Sequence, residues 1–157
     1  MRKDLSFHLP IALFLLTFSL LATWYEGSNL LSNSFEWGRS TPFSSMFNGA
    51  ISSQSEISQL DFFVYASKFY PFFPTLMLLS LLYLITVLGI LAIKDKRKSS
   101  LFFHLYSGCL LVVLIAVLMQ HVGAKYYYAA VLLLGLGANL FINYRTNKRL
   151  AAAKNIG

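Results

Sequence analysis

The stretch PTLMLLSLLYLITVLGILAIKDKRK, residues 74–98, decides the fold. Its first 20 residues carry no charge, and a helix needs about 20 largely apolar residues to cross a bilayer. Four of the last five are basic, and lysine and arginine are retained on the cytoplasmic side of a membrane. The stretch therefore predicts a membrane-spanning helix over residues 74–93 that ends in the cytoplasm.

Three further apolar runs of similar length flank it, at residues 10–25, 101–120 and 127–143. The runs are continuous rather than alternating, which favours helices over the strands of a membrane barrel. We therefore expect an all-α integral membrane protein with four transmembrane helices. The basic start of the first run is typical of a signal peptide, but Leu20 stands where cleavage needs a small residue, so we expect this span to be retained.

The distribution of basic residues sets the orientation. Ten of the 13 lysines and arginines lie before the first span, in the 94–100 loop or in the 144–157 tail. With an even number of spans these three segments share one side, and the positive-inside rule makes that side the cytoplasm. We expect a plasma-membrane protein with both termini inside and the long 26–73 loop outside.

Composition narrows the function further. Charged residues make up 12% of the chain, roughly half the share of about 25% that is usual in soluble domains. The net charge of +7 sits beside apolar runs, which favours the lipid bilayer over nucleic acid as a partner. The single cysteine, Cys109, excludes an internal disulfide and any site built from several cysteines. Catalytic and phosphate-binding motifs are absent, so we expect no cofactor, no metal and no enzyme activity.

The 26–73 loop is too long and too rich in aromatic residues for a plain linker, and it is expected to be ordered. Its first half, residues 29–49, is expected to be irregular, with either a short hairpin or one-turn helices. In its second half, Ser53 and Glu56 fit a capping box. This box predicts an amphipathic helix from Ser53 to about Tyr70. One face of that helix is predicted to carry Ile57, Leu60, Val64 and Ser67.

Seven residues of this loop are candidates for partner binding or for closing the outer end of the helix bundle. They are Glu26, Phe35, Glu36, Trp37, Arg39, Asp61 and Lys68. Trp37 is expected to be buried against the outer ends of the spans. The leading hypothesis is a non-enzymatic membrane protein whose ordered outer loop binds a membrane or cell-envelope protein.

Two alternatives remain open. A small transporter or channel component needs a polar path through a homo-oligomer, and the spans offer Ser80, Thr86, Ser107 and Asn139 as lining candidates. Asn139 is expected instead to hydrogen-bond another helix through Thr86 or Ser107. A membrane enzyme would use the outer carboxylates as acid and base near His121. The spans contain no charged residue, which counts against an ion pump.

Several segments together resemble the YjdJ-like small membrane proteins of Bacillus-type bacteria. They are WYEGS (24–28), FEW (35–37), STPFS (40–44) and SQLDFFVYASKF (58–69). The resemblance covers roughly residues 10–93 and does not extend to the third and fourth spans. It implies a Gram-positive plasma membrane and no known activity, and the family supplies no catalytic or binding residues to carry over.

Overall fold

The computed structural model describes residues 2–93, 95–120 and 123–154, and the regular structure in those ranges is all helical. The described α-helices are α1 (Arg2–Gly27), α2 (Trp37–Ser40), α3 (Pro42–Asn48), α4 (Gln59–Phe69), α5 (Phe72–Ala92), α6 (Lys96–Leu118) and α7 (Lys125–Lys154). Between them lie the 3-10 turns Ser28–Ser32, Ser34–Glu36 and Gln54–Glu56.

Four of these helices, α1, α5, α6 and α7, are long and apolar enough to cross a membrane. They coincide with the four runs predicted from the sequence, but their ends differ. Helices α5 and α6 stop slightly before the predicted ends, whereas α1 and α7 continue into polar sequence. Helical hydrogen bonds join backbone groups, so a helix does not have to end where its side chains become polar.

The predicted 94–100 loop is mostly helix. Helix α6 begins at Lys96, and the Asp95 carboxylate accepts a hydrogen bond from the backbone N–H of Arg97 at 2.8 Å. An aspartate at this position satisfies a donor that the first helical turn leaves free. The predicted 144–157 tail is likewise helical as far as Lys154, and residues 94 and 155–157 lie outside the described ranges.

The four long helices form two pairs that lie side by side. Helix α1 packs mainly on α5, α6 packs on α7, and α5 joins the pairs through its contact with α7. A row of small residues lies on the packed side of α1, where Ala12, Ser19 and Thr23 are fully buried. The Ser19 and Thr23 hydroxyls donate to carbonyls one turn earlier. Small residues at this spacing let neighbouring helices approach closely.

A buried polar contact holds α6 against α7. Asn139 is 1% exposed, and its side-chain amide donates to the Ser107 hydroxyl at 2.9 Å and to the Phe103 carbonyl at 3.2 Å. The predicted bond from Asn139 to another helix through Ser107 is therefore confirmed. The other predicted partner, Thr86, instead donates to a carbonyl of its own helix.

The apolar core lies between α5, α6 and α7 and is built from Leu82, Leu110, Leu114 and Leu132 with small neighbours. The outward faces of the four long helices are apolar too. Exposed examples are Phe14, Leu111, Val112 and Leu134. Apolar surface on this scale is rare on a water-soluble monomer, so the helices are compatible with a membrane protein.

The segment between α1 and α5, residues 28–71, is called the connection below. Helix α4 carries most of its contact with the long helices, because α4 packs against α1. At that contact Gly27 lies directly against the Phe62 backbone, since a Cβ added at Gly27 would stand 2.1 Å from the Phe62 carbonyl oxygen. On another side, the Tyr128 hydroxyl of α7 donates to the Ser67 carbonyl at 3.0 Å.

The predicted amphipathic helix is shorter than expected and turns a different face inward. The capping box of Ser53 and Glu56 is present, but it begins only a single 3-10 turn. The backbone is then extended, and α4 begins only at Gln59. The predicted apolar face is not the one that packs inward, since Ile57 lies before α4 and Leu60 is 55% exposed. The residues that α4 buries are Asp61, Phe62, Tyr65 and Ala66.

Candidate functional site

The connection has a small apolar core of its own. Leu30, Phe62 and Tyr65 are buried, and Trp37 packs against them while remaining partly exposed. The indole N–H of Trp37 donates to the Leu30 carbonyl at 2.9 Å, which pairs the polar atom of this largely packed side chain. Trp37 is thus anchored inside the connection, rather than against the ends of the spans as predicted.

Asp61 is fully buried, and its carboxylate caps a different helix. Its two oxygens accept the backbone N–H groups of Phe43 and Ser44, each at 2.9 Å, and the hydroxyl of Ser44. These are the first donors of α3, because Pro42 has no N–H. A carboxylate beside a helix N-terminus is favoured by its hydrogen bonds and by the helix dipole. Asp61 therefore ties α3 to α4.

Ser44 extends this junction in the other direction. Its hydroxyl accepts the backbone N–H of Ser58 at 2.7 Å, and Ser58 is the N-cap of α4. The starts of α3 and α4 are thereby fixed together through one buried serine. This role could not be predicted from the sequence, because a single serine in a polar loop is common and matches no motif.

Glu36 and Lys68 form a second junction, around α2. The Lys68 ammonium donates to the Arg39 carbonyl at 2.6 Å and to the Ser40 hydroxyl at 2.9 Å, and it lies 3.9 Å from the Glu36 carboxylate. The Ser40 hydroxyl in turn donates to Glu36 at 2.7 Å. A partly exposed ion pair contributes little, so the bonds to the Arg39 carbonyl and the Ser40 hydroxyl of α2 define the position of Lys68.

Glu56 is held by the turn before it. Hydrogen bonds from the Ser52 backbone N–H and hydroxyl hold the pKa of the Glu56 carboxyl below its usual value. The backbone donor lies 2.8 Å from Oε2, and the N–H of Ser53 is a longer donor at 3.4 Å. Hydrogen bonds to a carboxylate favour its charged form, so the charge and the turn stabilise each other.

Helix α3 carries an apolar face that nothing in the described chain covers. Met46 is 79% exposed and Phe47 is 83% exposed, and Phe43 lies one turn earlier on the same side. The opposite side of this short helix holds the buried Ser44. Phe35, at 92% exposed, is the most exposed large apolar side chain of the connection. A rigid scaffold that displays uncovered aromatic side chains is suited to binding.

The seven candidate residues therefore separate into three groups. Asp61, Glu36, Trp37 and Lys68 hold the connection together. Phe35 and the side chain of Arg39 are exposed. Glu26 lies apart from both groups, in the wall of a cavity between α1, α5 and α7. His121, the predicted companion of the outer carboxylates, falls outside the described residues.

The described histidines do not come together at a common site. His8 lies 2.5 Å from the Tyr83 hydroxyl, whereas His104 contacts the Asn143 amide. Within the described ranges, no group of three or more His, Cys, Asp and Glu residues is placed to hold a metal ion.

Three small residues of α1 that the sequence analysis did not single out follow a recognisable pattern. Ser19, Thr23 and Gly27 are spaced four apart, which is a small-residue pattern typical of helix contacts in membranes. The first two are buried along α1, and Gly27 meets α4.

The architecture is that of an all-helical protein with four membrane-length helices and an ordered connection between the first two. The chain belongs to the family described as a domain of unknown function, DUF4306, whose sequence model matches residues 6–93. An uncharacterized protein of Bacillus subtilis (strain 168), YjdJ, is 42% identical over 95 residues, which are 59% of this chain and 84% of that protein. The resemblance read from the sequence is thus confirmed. No solved structure matches the chain significantly.

The family match covers nearly all of α1, the connection and the whole of α5, and it ends before α6. In the structure these parts also pack on one another, because α1 contacts both α5 and α4. The α6–α7 pair lies outside the matched range. The connection is therefore part of what the family model describes, and the polar contact between α6 and α7 is not.

Proposed function

We propose that this protein is a multi-pass plasma-membrane protein whose connection forms a preformed outer surface for binding a membrane or cell-envelope protein. Four apolar helices with outward apolar faces support insertion in the bilayer. The excess of lysine and arginine in the termini and at the α5–α6 turn supports a cytoplasmic location for these segments. The connection then lies on the extracytoplasmic side.

The observation that carries the proposal is the uncovered apolar face of α3, Met46 and Phe47 in particular, on a segment fixed from behind by buried hydrogen bonds. A surface that is already ordered loses little conformational entropy on binding. Aromatic and methionine side chains are enriched at the centres of protein interfaces. The carboxylates of Asp61, Glu36 and Glu56 are engaged in hydrogen bonds within the connection, which favours binding over catalysis.

A photo-crosslinking amino acid at Phe47 tests the proposal in living cells. We expect a discrete crosslinked protein band, because this position points away from the connection and is 83% exposed. A second change, Met46→Ser, should weaken that band without altering the protein's own thermal stability. Met46 is 79% exposed, so removing its side chain should weaken partner binding but leave the stability of the fold unchanged.

The matched control is Tyr144→Ser, which removes a 65% exposed aromatic side chain from α7. This variant should leave the band from Phe47 unchanged. Crosslinking to lipid alone, or a band that Met46→Ser does not weaken, would show that α3 does not bind a protein.

A further inference from the structure

A cavity of about 710 Å³ opens between the start of α6 and the C-terminal part of α7. The first turn of α6 and its cap supply three charged residues of the wall, Asp95, Arg97 and Lys98. Leu101 lies one turn further along α6, and α7 contributes Asn147. The cavity is therefore built by both helices of the second pair, at the end of the pair that carries most of its basic residues.

Hydrogen bonds between α6 and α7 hold the walls of this cavity in place. The Ser100 hydroxyl of α6 donates to the Asn147 side-chain oxygen of α7 at 2.8 Å. The His104 ring lies 2.8 Å from the Ser100 carbonyl and contacts the amide of Asn143, which is 4% exposed. These bonds fix the spacing of the two helices, so the cavity has its shape without a ligand.

The charges in the wall do not balance. Arg97 and Lys98 bring two positive charges, against one carboxylate at Asp95. That carboxylate already caps α6, since it accepts the Arg97 backbone N–H at 2.8 Å. Within the described part of the chain, neither the Arg97 guanidinium nor the Lys98 ammonium has an ionic or hydrogen-bonding partner. The wall therefore carries a net positive charge and two cations that are free to bind an anion.

A phosphate group matches these donors. A guanidinium can give a phosphate two parallel hydrogen bonds, and an ammonium adds a compact positive charge. The amide nitrogen of Asn147 makes one long contact of 3.4 Å, to the Asn143 oxygen. Its second N–H therefore remains for a ligand in the cavity.

We propose that this cavity binds the phosphate of an anionic membrane lipid, with Arg97, Lys98 and the Asn147 amide as donors. Basic pockets between spanning helices on the cytoplasmic side suit anionic headgroups. The acyl chains follow the outward face of α6, where Leu101 is 62% exposed and Leu105 is 64% exposed. The lipid would thus contact both helices of the second pair.

A lipid is the source of the phosphate because the polar wall continues onto the apolar face of a membrane-length helix. Inorganic phosphate has the same chemistry at the donors but would leave Leu101 and Leu105 uncovered. The inference rests on the proposed membrane insertion and orientation, but not on the proposed binding of a protein by α3.

The test uses the full chain purified in mild neutral detergent, with phosphatidylglycerol and phosphatidylcholine of identical acyl chains. Bound lipid is counted by native mass spectrometry. We expect one phosphatidylglycerol to be retained at concentrations where phosphatidylcholine is lost. Asn147→Asp should weaken this retention roughly tenfold or more, because it brings a like charge to the headgroup. The new carboxylate still accepts the Ser100 hydroxyl, so the contact between α6 and α7 is kept.

The matched control is Lys148→Gln, since Lys148 is the next residue of α7 and does not line the cavity. Both changes make the net charge less positive by one. Basic residues at the cytoplasmic end of a span attract anionic lipid in a general way, and the control removes only that attraction. Lys148→Gln should therefore retain phosphatidylglycerol nearly like the wild type.

A third variant, Lys98→Gln, should weaken the retention of phosphatidylglycerol several-fold. Each variant is also melted in lipid-free detergent, and a loss of binding is counted only for a protein that melts like the wild type. The Lys98 side chain is exposed, so Lys98→Gln carries the test if Asn147→Asp melts early.

Equal weakening by Lys148→Gln and the cavity variants would show diffuse attraction and overturn the site. Equal retention of phosphatidylcholine would overturn the requirement for a net negative headgroup. Displacement of the lipid by inorganic phosphate at an equal concentration would show that the site takes free phosphate, which contradicts a lipid. The crosslink from Phe47 is independent of all three outcomes, whereas recovery of the protein from cells without detergent would contradict membrane insertion itself.

Discussion

At the scale of single residues, the packing of α4 on α1 depends on how closely the two backbones can approach each other at Gly27. Gly27 ends α1 where the Phe62 backbone of α4 lies, and a methyl group there would stand 2.1 Å from a carbonyl oxygen. Backbone atoms cannot yield as a flexible side chain does. The absence of a side chain at Gly27 is thus what lets the connection sit on the first long helix.

Gly27→Ala should therefore destabilise the protein although alanine favours helix. Alanine gains up to about 1 kcal/mol over glycine within a helix, whereas overpacking typically costs about 1–3 kcal/mol, and a clash with backbone belongs at the upper end. We expect a lower melting temperature in detergent and faster proteolysis within the connection.

Gly38→Ala is the control for this prediction, because a Cβ there meets nothing within 4 Å. Its free energy of unfolding should lie within about 0.5 kcal/mol of the wild-type value, as is usual for surface substitutions. If both variants melt alike, the contact between α1 and α4 is looser than the structure has it.

At the scale of elements, the sequence predicts those features that depend only on residues close together in the chain. The four long helices follow from uninterrupted apolar runs, and the box of Ser53 and Glu56 follows from spacing. The start of α4 at Gln59 does not follow from the sequence. The same capping box fits either a long helix or a single turn followed by extended chain. The buried face of α4 depends on the position of Gly27, 35 residues earlier in the chain.

For the candidate site, the sequence pointed to the connection but indicated neither the roles of its residues nor the exposed face of α3. Acidic and aromatic residues in an outer loop indicate a functional surface, and the sequence singled out Asp61 on that ground. Its actual partners are backbone donors of α3, and no spacing rule connects a carboxylate to a helix start 18 positions away. The role of Asp61 as the cap of α3 therefore depends on a tertiary contact that the sequence does not reveal.

Asp61→Ala should release α3 from α4. It leaves the N–H groups of Phe43 and Ser44 without their acceptor; the one at Ser44 is buried, and a buried unpaired group costs about 1–3 kcal/mol. We expect limited proteolysis to cut within residues 42–56 several times faster than in the wild type, while the four long helices stay folded by circular dichroism.

Asp95→Ala gives the comparison for that prediction, since Asp95 caps α6 at an exposed end. It removes a capping aspartate of the same kind but should leave proteolysis within residues 42–56 unchanged. Slow cutting in both variants would mean that the Ser44 and Lys68 contacts suffice to hold α3 and α2.

At the scale of the whole molecule, two helix pairs are joined, and only one of them lies within the family match. The α1–α5 pair and its connection fall within the family match, and α6–α7 is a second pair held by its own buried polar contact. The pairs meet through α5 and α7 and through the bond from Tyr128 to Ser67. That bond links the second pair to α4 of the connection.

The orientation of the whole molecule is checked with single cysteines in a Cys109→Ala background, because the native Cys109 is exposed. A membrane-impermeant thiol reagent should label Ser45→Cys in intact cells and leave Ser99→Cys unlabelled. Ser45 is exposed in the connection, and Ser99 lies next to the basic start of α6. Both should react after the cells are permeabilised, and labelling of Ser99→Cys alone in intact cells would reverse the orientation.

The self-contained core of the connection also has a consequence for biosynthesis. Leu30, Trp37, Phe62 and Tyr65 all leave the ribosome before α5 is complete, and α7 follows much later. At about 5–20 residues per second, the second helix pair emerges several seconds after this core has all its residues. We expect the connection to fold first on the far side of the membrane, so that the nascent α6–α7 pair docks against a surface that already has its shape.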